Sequence, residues 1–198
     1  PEPMAAVSPA GPAVRVYGFG PGRVEVNGTR IAPTDWGSVA ARNLLFYLLL
    51  NDRRSRDQIF AALWPTLSPQ KAKAAFHTTK FRLKRALGVD AVEYDGRVSR
   101  MDPALDVWFD VAAFDAVLGP GRQDPPVDAM LAAVRLYTGD FLTACSDDWC
   151  IDTRAYLRER CLHALETLGD RLLARRQYRQ AVEVLQQAVT LEPVRESL

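Results

Sequence analysis

A chain of 198 residues, 48% hydrophobic and 25% charged, has the composition of an ordinary globular protein and room for one large domain or two small ones. Its apolar runs stay well short of the roughly 20 residues that cross a bilayer, because Leu44–Leu50 runs at once into Asn51, Asp52, Arg53 and Arg54. The net charge of +1 hides a partition: residues 1–52 balance four Arg with four acids, residues 53–100 set eleven Lys or Arg against four acids, and residues 101–198 set ten Arg against sixteen acids. A segment at +7 followed by one at −6 points to two domains with different partners, the basic one carrying the electrostatic footprint of nucleic-acid binding.

Residues 1–13, rich in Pro and Ala, read as a flexible linker and lack the basic and apolar regions of a secretory signal. The missing initiator Met is expected of a piece of something longer. Three cysteines, an odd count, argue for reduced thiols and a cytoplasmic protein. Val14–Gly20 and Arg23–Gly28 alternate apolar and polar residues and predict half-buried strands, with Thr29–Ala32 returning after the turn pair Asn27-Gly28. No Lys-Ser/Thr follows the Gly20-Pro21-Gly22 turn, so it is not a phosphate loop. This predicts a small antiparallel sheet without a catalytic signal.

Ser38–Leu50 predicts an apolar-rich helix. Ser55-Arg56-Asp57-Gln58 is a capping-box pattern opening a short helix that carries Ile59, Phe60 and Leu63 and ends at Trp64-Pro65. A third helix fills Ser68 to Gly88: Ser68 is an N-cap acceptor, Pro69 takes the first helical position, and Gly88 is the stop. At about 100° per residue, Ala72, Ala75, Phe76, Leu83, Ala86 and Leu87 share one face with Thr79 among them. The opposite face carries Lys73, His77, Thr78, Phe81, Lys84 and Arg85, flanked by Lys71 and Arg82. Three helices joined by short links follow helix-turn-helix logic, in which the last helix enters the major groove. Val92–Met101 then predicts a hairpin turned at Asp95-Gly96, a candidate wing whose Arg97 and Arg100 can touch phosphate.

From Val107 onward the sequence reads as helical. Helices are predicted over Asp110–Leu118, over Asp128–Leu136, from an N-cap at Asp152 to about Arg176, and over Tyr178–Leu191 before Glu192-Pro193. Leu157, Cys161, Ala164, Leu168 and Leu172 stripe the long helix, and Ala181, Leu185 and Ala188 recur at tetratricopeptide-like (TPR-like) spacing. Stacked helix pairs need a neighbour over the last face, so further repeats, self-association or a partner are expected there. Cys145, Cys150, Cys161 and His163 make a poor zinc set, because Cys161 and His163 point about 200° apart on one helix.

Trp36, Leu44–Leu50, Ser55–Gln58, Leu63-Trp64-Pro65, Ser68–Ala72 and Phe76–Gly88 together resemble the OmpR-type winged helix of bacterial activators. More narrowly they resemble the antibiotic-regulatory-protein (SARP) group, in which that winged helix precedes a bacterial transcriptional activator domain (BTAD). Asp106–Phe114, Leu136–Leu142, Asp148-Trp149 and Arg158-Glu159-Arg160 are similar to the activator domain. The implied architecture is α+β: an N-terminal winged helix-turn-helix over residues 14–102, with a small antiparallel sheet and a wing hairpin, then an all-α TPR-like helical domain over residues 106–198. A receiver domain can precede Pro1 by the same resemblance, as in the response regulators of two-component signalling.

The resemblance also implies base-facing positions at His77, Thr78 and Arg82, and phosphate contacts at Thr79 and Lys84. Lys80 departs from the pattern, where a large apolar residue is usual; it either snorkels toward phosphate or loosens the core. Chemically, Arg82 suits bidentate bonding to guanine O6 and N7, and the Thr78 methyl suits a thymine methyl. Phe81 either meets a thymine methyl or packs on the preceding helix or wing, and His77 either reads a base or bonds a phosphate. Lys73, Lys84, Arg85, Arg97 and Arg100 supply salt-dependent affinity, and Arg54 and Arg56 flank a helix N-terminus able to meet phosphate.

The expected function is a sequence-specific transcriptional activator. Its expected partners are double-stranded promoter DNA, a second copy as homodimer or tandem neighbour, and RNA polymerase, with no membrane, cofactor or metal. No enzyme is expected: only His77 and His163 are present, with no Ser-His-Asp grouping or nucleotide loop. The alternative is a protein-interaction scaffold in which the winged helix does not read DNA.

Overall fold

The computed structural model describes residues 13–122 and 124–191, and its architecture is α+β. The linker expected over residues 1–13 lies, but for Ala13, outside the described residues, as does the helix stop at Glu192-Pro193. The chain divides into two units: one runs up to Tyr17 and from Arg23 to Phe109, and the other holds Gly18–Gly22 and the residues from Asp110 onward.

In the first unit β1 (Val14–Tyr17), β2 (Arg23–Val26) and β3 (Thr29–Arg30) form an antiparallel meander. The last turn places Asn27 at φ 51° and Gly28 at φ 78°, the paired left-handed conformation that a two-residue hairpin with the right twist needs. Val14, Val16 and Val24 point inward and are buried. A single 3-10 turn, Pro33–Trp36, leads to α1 (Val39–Leu50), where Ser38 Oγ accepts the Ala41 N–H at 3.2 Å. Leu44, Leu45, Phe46 and Leu48 of α1 are all buried, so this helix is apolar nearly all round and sits at the centre of the core.

β4 (Arg54–Ser55) leads straight into α2 (Arg56–Leu63). The capping box forms as the sequence predicts, with Ser55 Oγ accepting from Gln58 N at 3.2 Å and Gln58 Oε1 accepting from Ser55 N at 2.9 Å. α3 (Pro69–Leu87) begins with Pro69 at its first position and ends at Gly88, φ 74°. Ser68 occupies its N-cap, but the side chain makes no capping hydrogen bond. β5 (Val92–Tyr94) and β6 (Val98–Met101) make the predicted hairpin, and β4 pairs with β6, so the hairpin is part of a three-stranded sheet in the order β4-β6-β5.

β7 (Val107–Phe109) is a correction to the sequence reading, which placed these residues in the helical half. It pairs in parallel with β1, Val14 opposite Val107 and Val16 opposite Phe109, so the N-terminal sheet is mixed rather than purely antiparallel. Phe109 packs edge-on against Phe46 of α1, with ring centroids 6.2 Å apart.

The second unit is built on α4 (Asp110–Leu118), α5 (Val127–Leu136), α6 (Asp148–Ala174) and α7 (Tyr178–Leu191). α6 starts from Asp147 rather than Asp152, and its predicted stripe of Leu157, Cys161, Ala164, Leu168 and Leu172 is buried. α7 approaches α6 at Gly169, where an added Cβ would lie 2.6 Å from Leu185 Cδ2. Gly18–Gly22 runs along the loop after α5: Gly20 N donates to Asp140 O, Leu142 N to Gly18 O and Thr143 N to Gly20 O, each at 3.0 Å. The buried Asp110 carboxylate accepts from Gly18 N at 2.7 Å, Phe19 N at 3.1 Å and Val111 N at 2.8 Å.

Cys145 and Cys150 are joined as a disulfide and Cys161 is free and buried, where the odd count predicted three reduced thiols. Among the described residues no helix is long and apolar enough to cross a membrane.

Candidate nucleic-acid interface

α3 presents two chemically distinct faces. Ala72, Phe76, Thr79, Leu83 and Leu87 are buried, while Lys73, His77, Thr78, Phe81, Arg82, Lys84 and Arg85 are exposed. Phe76 stacks near Phe60 of α2 at 5.9 Å between centroids, which pins the inner face. The outer face therefore carries five cations, counting Lys73, Arg82, Lys84, Arg85 and the neighbouring Lys71, with an imidazole and a bare phenyl ring among them. Lys84 and Arg85 lie in the last turn, where their charge also complements the helix dipole.

Phe81 is 65% exposed, so the alternative in which it packs on the preceding helix or the hairpin is not realised. Thr78 Oγ1 donates to Ala74 O at 3.1 Å, so its proton is engaged within the helix. The Arg82 stem lies against the 3-10 turn, since a Cβ on Gly37 would sit 3.5 Å from Arg82 Cδ. Gly37 itself is left-handed, φ 64°, so this turn both needs a glycine and leaves room for the arginine.

Three of the phosphate candidates are otherwise engaged. Thr79 is 4% exposed on the core face, so its hydroxyl is not offered to a ligand. Lys80 Nζ donates to Val92 O at 2.7 Å and lies 3.4 Å from Asp90, fastening α3 to β5 rather than reaching outward. Arg100 Nε and Nη2 both bond Glu93 Oε2 at 2.8 Å, and that carboxylate raises its basicity further. Lys84 is within 3.8 Å of Asp90 but stays exposed. Arg97, at the hairpin turn, is exposed.

The hairpin turn is held by Asp95, whose carboxylate accepts from Arg97 N at 3.0 Å and Val98 N at 2.9 Å and pairs with Arg53. The Val98 and Arg97 N–H bonds, then Arg53, pull its pKa down to about 2. Arg56 lies over the Tyr94 ring, 4.0 Å from its centroid. The sequence offers Arg53, Arg54 and Arg56 as solvated cations, the last two also flanking a helix N-terminus; the pairings of Arg53 and Arg56 with the hairpin follow from the β4–β6 register. No local sequence signal announces a two-residue strand.

Residues 109–198, just under half of the chain, match the family model described as "Bacterial transcriptional activator domain". That is a family of transcriptional regulators and not of enzymes. The fold is similar to that of Mycobacterium tuberculosis EmbR, solved in complex with a low affinity phosphopeptide, with a TM-score of 0.71 and 20% identity over 93% of this chain and 52% of that one. At this identity the likeness is one of fold, and the chain spans about half the length of that relative. No curated protein matches the chain.

Proposed function

We propose that the chain is a sequence-specific, DNA-binding transcriptional activator of the SARP type. In this reading the first unit is an OmpR-type winged helix-turn-helix, α3 enters the major groove of promoter DNA, and the β5–β6 hairpin is the wing. The TPR-like helical unit then serves dimerisation, signal input or polymerase contact. The observation that carries the reading is the outer face of α3, cationic and exposed, opposite a buried stripe that fixes its orientation. The activator-domain match of residues 109–198 supports it from the other half of the chain.

His77, Thr78, Phe81 and Arg82 are the proposed base readers, with the Arg82 guanidinium on a guanine and Phe81 against thymine methyls. Lys73, Lys84, Arg85 and Arg97 are the proposed phosphate contacts. Selection from a random duplex pool, sequenced and repeated across a salt series, tests the proposal. A motif is expected, as a direct or inverted repeat that reports how two copies are arranged, with affinity falling as salt rises. Arg82→Ala relaxes one base position at a cost of about 1–3 kcal/mol. Arg85→Ala weakens all sequences alike and shallows the salt slope by roughly one ion. If no motif emerges and both variants behave as the parent does, α3 does not read DNA.

A further inference from the structure

A cavity of about 530 Å³ opens in the second unit, walled by the end of α4, the loop that follows it, α5 and the middle of α6. That volume lies within the range of small-molecule sites. Its floor is apolar: Leu118, Met130 and Ala164 are all buried. Its walls carry three arginines and one histidine beside two acids, Asp124 and Glu159. On α6, Arg160, His163 and Arg171 recur at helical spacing on one face, and Arg122 faces them from the loop.

The loop is shaped to bring Arg122 round. Gly119 closes α4 with its N–H on Asp115 O at 2.8 Å, and a Cβ there would lie 2.3 Å from that same oxygen. Gly121 follows at φ 76°, so a short turn reverses the chain over the cavity.

The two arginines of α6 differ in what holds them. Arg171 is fixed in place, donating to Pro125 O at 2.8 Å and pairing with Asp124 at 2.6 Å. Arg160 is not: it lies 5.5 Å from the Tyr156 ring centroid, and its buried Nε has no hydrogen-bond partner among the described residues. Asp115 is close enough to feel its charge, yet Asp115 Oδ1 is also buried and unpartnered, so among the described residues no carboxylate closes the guanidinium fork. Glu159, the remaining acid of the walls, is exposed. A half-buried guanidinium whose Nε has no partner among the described residues, above an apolar floor, is the arrangement that recognises a carboxylate, sulfonate or phosphate on a hydrophobic body.

We propose that this cavity binds a small amphipathic organic anion, its apolar body over Leu118 and Met130 and its acidic head on Arg160 and Arg122. The site lies wholly in the helical unit and stands independently of whether α3 reads DNA.

Titration of the full chain with anilinonaphthalene sulfonate, read by fluorescence beside its neutral counterpart N-phenylnaphthylamine, tests it. The sulfonate is expected to saturate at one equivalent and to bind about tenfold more weakly to Arg160→Gln, the loss of a charge-assisted contact. Arg122→Gln, on an exposed loop, is expected to weaken it too, so the test survives if Arg160→Gln fails to fold. The neutral probe is expected to bind weakly and equally to all. Displacement by an aryl carboxylate or by an aryl phosphate identifies the preferred head group. The proposal is overturned if the neutral probe binds as well as the sulfonate, if neither arginine change matters, or if neither competitor displaces. It also fails if the signal disappears on Val182→Ser with Val189→Ser, the exposed face of α7.

Discussion

Asp110 is a carboxylate 3% exposed with three backbone N–H groups aimed at it. Burial pushes its pKa up to about 6, the N–H bonds offsetting part of that rise. The folded protein thus holds this proton more tightly than the unfolded chain does. The stabilisation is complete below the unfolded value of 3.8 and is lost as pH rises through about 6. The change is on the order of 3 kcal/mol. Urea denaturation from about pH 4 to about pH 7 should show the advantage of the parent over Asp110→Asn shrinking with pH. A gap that stays constant would mean that the three N–H bonds, not burial, dominate. Cys161 offers a second check: burial pushes its thiol up to about 12. The folded chain should resist alkylation at mildly alkaline pH, yield one reactive thiol in denaturant, and yield three after reduction. None of this was legible in the sequence. An odd cysteine count says nothing of which pair meets, and Asp110 looks like any helix-opening acid until Gly18 and Phe19 are seen against it.

At the scale of the element, three serines precede three helices and only two cap with their side chains. Ser38 and Ser55 accept hydrogen bonds from Ala41 N and Gln58 N, whereas Ser68 makes none. Thermal melts of the three Ser→Ala variants should therefore separate: about 1 kcal/mol lost at Ser38 and Ser55, and a few tenths at most at Ser68. Equal losses at all three would show that Ser68 closes a cap in solution. The helices themselves were legible because their apolar residues keep a helical period; Asp110–Leu118 and Tyr178–Leu191 have the predicted bounds. The outer face of α3 was legible for the same reason. Val107–Phe109 was not, since three consecutive apolar residues running into α4 carry no period of their own, and their partner strand is β1, far away in sequence. The engagement of Lys80 by the Val92 carbonyl and of Arg100 by Glu93 was not legible, because both partners are set by the hairpin register.

At the scale of the whole chain, the charge partition survives folding as a difference between the two units. The basic segment holds α3 and the hairpin, and the acidic half holds α4 to α7. Gly18–Gly22 crosses that division, lying early in the chain yet belonging to the helical unit. Removing residues before Asp110 deletes the backbone groups that pair with Asp140, Leu142 and Thr143, and two of the three N–H donors on Asp110. A fragment of residues 110–198 should melt well below the full chain, and a melt at the same temperature would show that the segment is dispensable. The helical unit is thus discontinuous along the gene. A recombination event that joined residues 110–198 to a different N-terminal unit would leave behind the Gly18–Gly22 segment that completes it, so that the two units travel as one piece.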